Sequence, residues 1–285
     1  MNSTNIHQQV RDQYTAALQR AQAKAGGAGC CGPIPCGTAA QFARYEGELD
    51  AHPEAAAASF GCGNPLSFAE VQPGQTVVDL GSGAGFDLLL AADKVGPEGR
   101  VIGIDMTDAM IETARANAAK AGAQQVQVRK GHIEQMPIAA AQADWIISNC
   151  VINLSPDKAK VFAEMARVAK PGGQFRVSDI VARDLPAWVK SDELAYAACV
   201  AGAIDEAAYL QGLRDAGFEE VQVVARHVYA AADVQALIAS DFVDAGLPQG
   251  AWQDRLHEID GKVASITVTG KKPLTSACCG VAKCC

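Results

Sequence analysis

Basic residues are in deficit: 24 Lys and Arg against 32 Asp and Glu leave a formal net charge of -8 over 285 residues. Duplex binding usually relies on a basic face, so nucleic acid is an unfavourable partner. Long apolar runs are missing too; none approaches the roughly 20 residues of a bilayer-spanning helix. The opening "MNSTNIHQQVRDQY" has no signal-peptide apolar core. The expectation is a soluble cytoplasmic protein without a membrane partner. Histidine is scarce, five in all, and none has metal-site spacing to a cysteine or to another histidine, which disfavours structural zinc. No internal repeat is visible. Apolar content is ample: 49% hydrophobic residues exclude a wholly disordered chain. The length suits one large domain with additions, or one domain with a smaller companion.

Cysteine is abundant, with ten residues, and in a reducing cytosol stable structural disulfides are not the default explanation. Six of the ten form the adjacent pairs Cys30–Cys31, Cys278–Cys279 and Cys284–Cys285. Neighbouring cysteines cannot bridge to each other without strain. Thiol chemistry or soft-metal binding fits better.

Four segments follow from the pattern. Residues 1–58 combine a helical stretch, "VRDQYTAALQRAQAKA", with the loop "GGAGCCGPIPCG" and an alanine-rich run. Residues 59–183 form the core, alternating strictly from Thr76: "TVVDLG", "RVIGIDM", "VQVRKG", "ADWIISNC" and "QFRVSDIV" are strand-like, with helical patterns between them. The last of these helices is predicted to start at Ser155 as N-cap with Pro156 in its first turn, and to stop at "PGG". Residues 184–272 are expected to be largely helical over 184–217 and 226–262, with strands "FEEVQVV" (218–224) and "ASITVTGKK" (264–272) completing the sheet. Residues 273–285 form a cysteine-rich tail. The fold class is α/β: a doubly wound, Rossmann-like sheet with a mainly helical C-terminal addition.

"VVDLGSGAGFD" follows the first strand and opens a helix, where such sheets bind nucleotide-like ligands. Gly81, Gly83 and Gly85 allow a tight turn and close approach. About 20 residues on, Asp105 ends the second strand and can accept both ribose hydroxyls. A dinucleotide fingerprint wants glycine or alanine where this chain has Phe86. The glycines instead follow Asp79 as D-L-G-x-G-x-G, which resembles the first motif of S-adenosylmethionine-dependent methyltransferases. That resemblance places Asp79 near the methionine end, and "GHIEQMP" beside the adenine, with Ile133 against the ring and Glu134 near its amine. Asn149 can face the cofactor at the end of the fourth strand. Enzymes acting on nucleic-acid amino groups often carry two prolines and an aromatic there; "NCVINL" does not support that chemistry.

Together "DLGSGAGFD", "VIGIDMT", "SNCVINLSPDK", "KPGG" and "SDIV", with "FGCGNP" before the loop and "CVAGA" after the fifth strand, resemble the arsenite S-adenosylmethionine methyltransferases. The resemblance implies trivalent arsenic bound by Cys62, Cys150 and Cys199. It also implies cofactor contacts extending to Ser82 and Met106, and a redox relay for which Cys30, Cys31 and Cys36 compete. Arsenite or its thiol adducts would be the substrate, and glutathione or thioredoxin the reductant. The chemistry is coherent: soft arsenic prefers thiolates, and two cysteines can return electrons by forming a disulfide. Blander readings remain. Cys150 and Cys199 could be small buried hydrophobes, while Cys62, between two glycines, is less natural as core filler. The terminal cysteines could pass arsenic inward or scavenge metal. A methyltransferase of a small organic thiol or hydroxyl, and a non-catalytic metal-sequestering protein, are the rival functions.

Overall fold

The computed structural model describes residues 3–27, 51–61, 63–66, 69–242 and 253–274. From Thr76 onward the strands appear where the apolar, β-branched runs predict them. They are β1 (Thr76–Leu80), β2 (Arg100–Asp105), β3 (Val126–Lys130), β4 (Ala143–Asn149) and β5 (Ala169–Ala182). Later come β6 (Glu219–Tyr229) and β7 (Val263–Lys271). The seven form one sheet in the order β3-β2-β1-β4-β5-β7-β6. The first five strands pair in parallel, and β7 and β6 close the edge antiparallel. β1 pairs with both β2 and β4, so the winding reverses there. In such sheets the crevice beyond the carboxyl ends at that reversal is the ligand site.

Both faces of the sheet are covered, which is why the central strands are apolar on both sides. Val77 packs with Leu88, Leu89 and Trp145 on one face. Its neighbour Val78 packs with Ile102, Ile146, Phe162 and Met165 on the other. Two helices cover each face: α3 (Phe86–Val95) and α4 (Asp108–Lys120) the first, α5 (Lys158–Val168) and α8 (Glu206–Asp215) the second. In α5, Val161, Phe162, Met165 and Val168 are buried, as their helical spacing requires.

Two predicted boundaries move. Asp157, not Ser155, caps α5: its side chain accepts from the Lys160 amide at 3.1 Å, and the helix begins at Lys158 rather than at Pro156. The helix ends at Val168, and "PGG" already lies within β5. There the Gly172 amide donates to the Lys272 carbonyl at 3.0 Å and the Lys272 amide to that of Gly173 at 2.8 Å. The chain beyond β7 thus captures a segment that local pattern assigns to a stop. β6 is also longer than expected, because it pairs with β7 as far as Tyr229 opposite Val263.

The remaining helices build a third layer. α6 (Ala187–Lys190), α7 (Glu193–Ala197) and α9 (Ala231–Phe242) enclose Val189, Val200, Tyr229, Leu237 and Ile238. The N-terminal helix α1 (Ser3–Gly27) joins them, inserting Val10 and Ala17 into the same cluster and packing on α4, α7 and α9. A short α2 (Pro53–Ala57) precedes β1. Among the described residues no helix is long and apolar enough to cross a membrane.

Candidate active site

The loop after β1 turns three times through backbone conformations that favour glycine. Gly81 has φ +66° and Gly85 φ +92°. A Cβ on Gly81 would lie 2.4 Å from the Val151 side chain, and one on Gly85 3.1 Å from Ala114, so both the turn and the packing behind it demand glycine. The loop, the end of β2 and the turn after β3 surround a pocket enclosing about 910 Å³, its open mouth included.

Asp79, Gly81, Ser82, Gly83, Asp105, Met106, Ile133, Glu134 and Asn149 all line this pocket. Gly85 stands behind it as the N-cap residue of α3. Asp105 braces the loop, accepting from the Gly83 amide at 3.0 Å and the Thr107 amide at 2.8 Å. Burial nevertheless raises its pKa against those bonds. Asp79 is more perturbed: burial first, then the charges of Asp87 and Asp105, hold its carboxyl well above the usual range. Three carboxylates on one pocket repel one another, and a cationic ligand relieves that repulsion. The buried Ser82 hydroxyl lacks a hydrogen-bond partner, which leaves it for the ligand.

Elsewhere on the pocket lining the Glu134 carboxylate is held from two sides. The Ser155 hydroxyl donates to Oε1 at 2.6 Å, and His7 Nε2 lies 3.0 Å from the same atom. His7 stacks on His132 with centroids 4.4 Å apart. Ligand atoms of His7, His132 and Glu134 fall within 4.8 Å of one another. With Glu134 already engaged twice, this trio is the polar seam that fastens α1 over the pocket.

Two cysteines meet beside this pocket. Cys150 follows β4, and both its neighbours, Asn149 and Val151, line the pocket. Cys199 follows α7, 49 positions later in the chain, and its Sγ donates to the Cys150 carbonyl at 2.5 Å. Both residues are left-handed, φ +60° and φ +62°, a conformation that costs a non-glycine residue about 1–2 kcal/mol. Both are buried, 3% and 2% exposed. Cys199 is free; Cys150 is in a disulfide, whose partner lies outside the described residues. Burial, then the charge of Asp179, pushes the Cys199 thiol well up, while the Tyr14 hydroxyl and the Lys158 ammonium pull it down.

Cys62, Cys30, Cys31, Cys36 and the C-terminal cysteines lie outside the described residues. The flanks of Cys62 are described, and they are tightly seated. The Asn149 amide donates to the Gly63 carbonyl at 2.6 Å and accepts from the Gly63 amide at 3.0 Å. It also donates to Asp87 at 3.1 Å. A Cβ on Gly61 would fall 2.2 Å from the Asn149 side chain, and one on Gly63 2.4 Å from that of Ser178. Asn149 therefore serves the "FGCGNP" loop as well as the pocket. Beneath Cys199 lies a buried polar cluster. Asp179 accepts from Asn153 Nδ2 at 2.8 Å and from the Tyr209 hydroxyl at 3.2 Å, and burial raises its pKa to about 7.

Residues 72–222 match the family model described as "Methyltransferase domain". The chain belongs to the methyltransferase-domain family. Within that family it is 43% identical over 200 residues to an arsenite methyltransferase of Halobacterium salinarum, covering 70% of this chain and 51% of that protein. An arsenite methyltransferase of Aquipseudomonas alcaligenes is 36% identical over 218 residues, covering 74% of this chain and 61% of its own length. The chain thus spans about half to three-fifths of these curated relatives. Among solved structures, CrArsM, an arsenic (III) S-adenosylmethionine methyltransferase from Chlamydomonas reinhardtii, aligns with a TM-score of 0.61 at 29% identity. That alignment covers 85% of this chain and 75% of that one.

For a methyltransferase-domain chain, sequence reasoning misses several lining residues, three of them brought by α1. His7, Val10 and Tyr14 all line the pocket. Val10, Tyr14, Ala17 and Leu18 fall at helical spacing, which signals a buried stripe without naming what it covers. Phe60, Thr107 and Ser155 also line the pocket; each lies inside a motif quoted above, but at a position to which the motif assigns no cofactor contact.

Proposed function

We propose that this chain transfers methyl groups from S-adenosylmethionine to trivalent arsenic held by the thiolates of Cys62, Cys150 and Cys199. The observation that carries the reading is the meeting of Cys150 and Cys199, from distant parts of the chain, at the edge of an acidic, glycine-turned pocket. A core-filling role would not explain two cysteines in left-handed conformation at one point. The likeness to arsenite methyltransferases points the same way.

The pocket fits the cofactor chemically. Asp79, Asp87 and Asp105 answer a cationic methionine end and a ribose, the unpartnered Ser82 hydroxyl offers a further bond, and Ile133 and Glu134 flank the adenine end. When bound, S-adenosylmethionine supplies a methyl group on a sulfonium, an electrophile that a soft lone pair takes up without a general base. The chain's own task is to hold arsenic close and correctly aimed. Each thiol proton leaves with an arsenite hydroxyl as water, so three cysteines give a neutral tris-thiolate with its lone pair on the open side. Gain of a methyl group formally raises arsenic to the pentavalent state. Two thiolates then return the electron pair by closing a disulfide, and an external thiol, glutathione or thioredoxin, reopens it. The Cys150 disulfide fits that cycle, with Cys30, Cys31 and Cys36 as relay candidates.

The test is direct. Protein incubated with S-adenosylmethionine, a thiol reductant and arsenite should yield methylated arsenic, and omission of the reductant should stop turnover. Arsenic bound but never methylated would leave a sequestering protein, and methylation of organic thiols alone would leave the rival transferase.

A further inference from the structure

One side chain of α1 touches both halves of the site. The Tyr14 hydroxyl donates to the Ala197 carbonyl at 3.2 Å, across 183 positions of sequence. Ala197 ends α7, a helix of five residues, and a helix that short leaves its last carbonyls in need of outside donors. Two residues later the chain turns through the left-handed Cys199. The Tyr14 ring meanwhile forms part of the cofactor pocket wall and stands edge-on to Phe60 at 5.9 Å, 85° between planes. Phe60 leads directly into Gly61.

We infer that Tyr14 is a positioning residue that couples cofactor occupancy to arsenic capture, by pinning the turn that presents Cys199 while its ring walls the cofactor pocket. The inference rests on the proposed arsenic ligation by Cys199. The physical route is shared ordering. A ligand filling the pocket packs on Val10 and Tyr14 and fixes α1 against the sheet. The donor for Ala197 is then already in place, and arsenic no longer has to order that turn alone. Two ligands that order the same element bind with positive cooperativity, without a change of fold, and the enhancement is reciprocal.

Calorimetry with S-adenosylhomocysteine and arsenite, under a phosphine reductant, tests this in the whole 285-residue chain. In the unmodified chain each ligand should tighten the other by about fivefold or more, the low end of typical coupling. Tyr14→Phe keeps the ring and loses the hydroxyl. It should bind S-adenosylhomocysteine alone within about twofold of the unmodified chain, while the enhancement falls to about onefold. That retained binding also shows the variant to be folded. Tyr14→Leu, which loses the ring as well, should weaken S-adenosylhomocysteine binding itself. Mutual enhancement that survives in Tyr14→Phe, or that is absent from the unmodified chain, overturns the coupling role and leaves arsenic ligation standing. Arsenite binding unchanged in Cys199→Ser overturns the ligation reading, and this inference with it.

Discussion

Cofactor binding should release a proton, and the group that releases it should be Asp79. This carboxyl is 2% exposed at the end of β1, and burial, Asp87 and Asp105 together keep its pKa well above the ordinary value. A sulfonium and an ammonium brought into the pocket favour the ionised form. The sign follows from linkage. Above the raised pKa, Asp79 is already charged and affinity is at its full value. Below it, binding must first expel a proton, so affinity falls by up to tenfold per pH unit, about 1.4 kcal/mol. Asp79→Asn preserves shape and removes the charge. It should weaken binding by about 1.5–3 kcal/mol at high pH, the worth of a charged hydrogen bond, and abolish the proton release. Titration calorimetry at one pH in two buffers of different ionisation enthalpy reads the released proton directly. A binding enthalpy independent of buffer at every pH from about 5 to about 8, with Asp79→Asn binding normally, would refute the argument.

Three further outcomes follow from named groups. Asp179 has a folded-state pKa of about 7, so the native state holds a proton that the unfolded chain loses near pH 4. Stability should therefore fall as pH rises through that interval, by about 4 kcal/mol at most, and denaturant midpoints should show Asp179→Asn free of that decline. At Cys199, φ +62° predicts that Cys199→Gly melts higher than Cys199→Ala by about 2 °C, roughly 1 kcal/mol of relieved strain, with both inactive on arsenite; equal melting points would deny the strain. Cys62→Ser should lose methylation of inorganic arsenite yet keep that of monomethylated trivalent arsenic, which accepts only two protein thiolates. Cys150→Ser and Cys199→Ser should lose both, as chromatographic product speciation would record; equal loss on both substrates in Cys62→Ser would undo the division.

The parts of this protein legible in its sequence are those whose residues act where they stand. Asp79, the glycines and Asp105 occupy consecutive turns of one strand–loop–helix–strand unit, and local spacing carries them to the pocket without help from elsewhere. Where a side chain answers to a distant partner, local rules misplace it. Ser155 has the composition of an N-cap, but Glu134 draws its hydroxyl to 2.6 Å, and Asp157 takes the cap instead. Asn149, at the end of its strand, lines the pocket. It also grips both backbone groups of Gly63, a second task that no pattern in "SNCVINL" announces.

The place of α1 against the rest of the site is not written in any local pattern. An amphipathic stripe on α1 states that something must be buried, and hydrophobic burial is non-directional. Direction comes from its polar members, His7 toward Glu134 and Tyr14 toward Ala197. One bond falls on the pocket residue Glu134 and the other on the helix end that leads to Cys199. A helix fastened only by its apolar face could slide or lift with little loss. Fastened at His7 and again at Tyr14, the first half of α1 is held in register as well as by burial, and under the proposed function that register bears on position, the one thing such a transfer depends on.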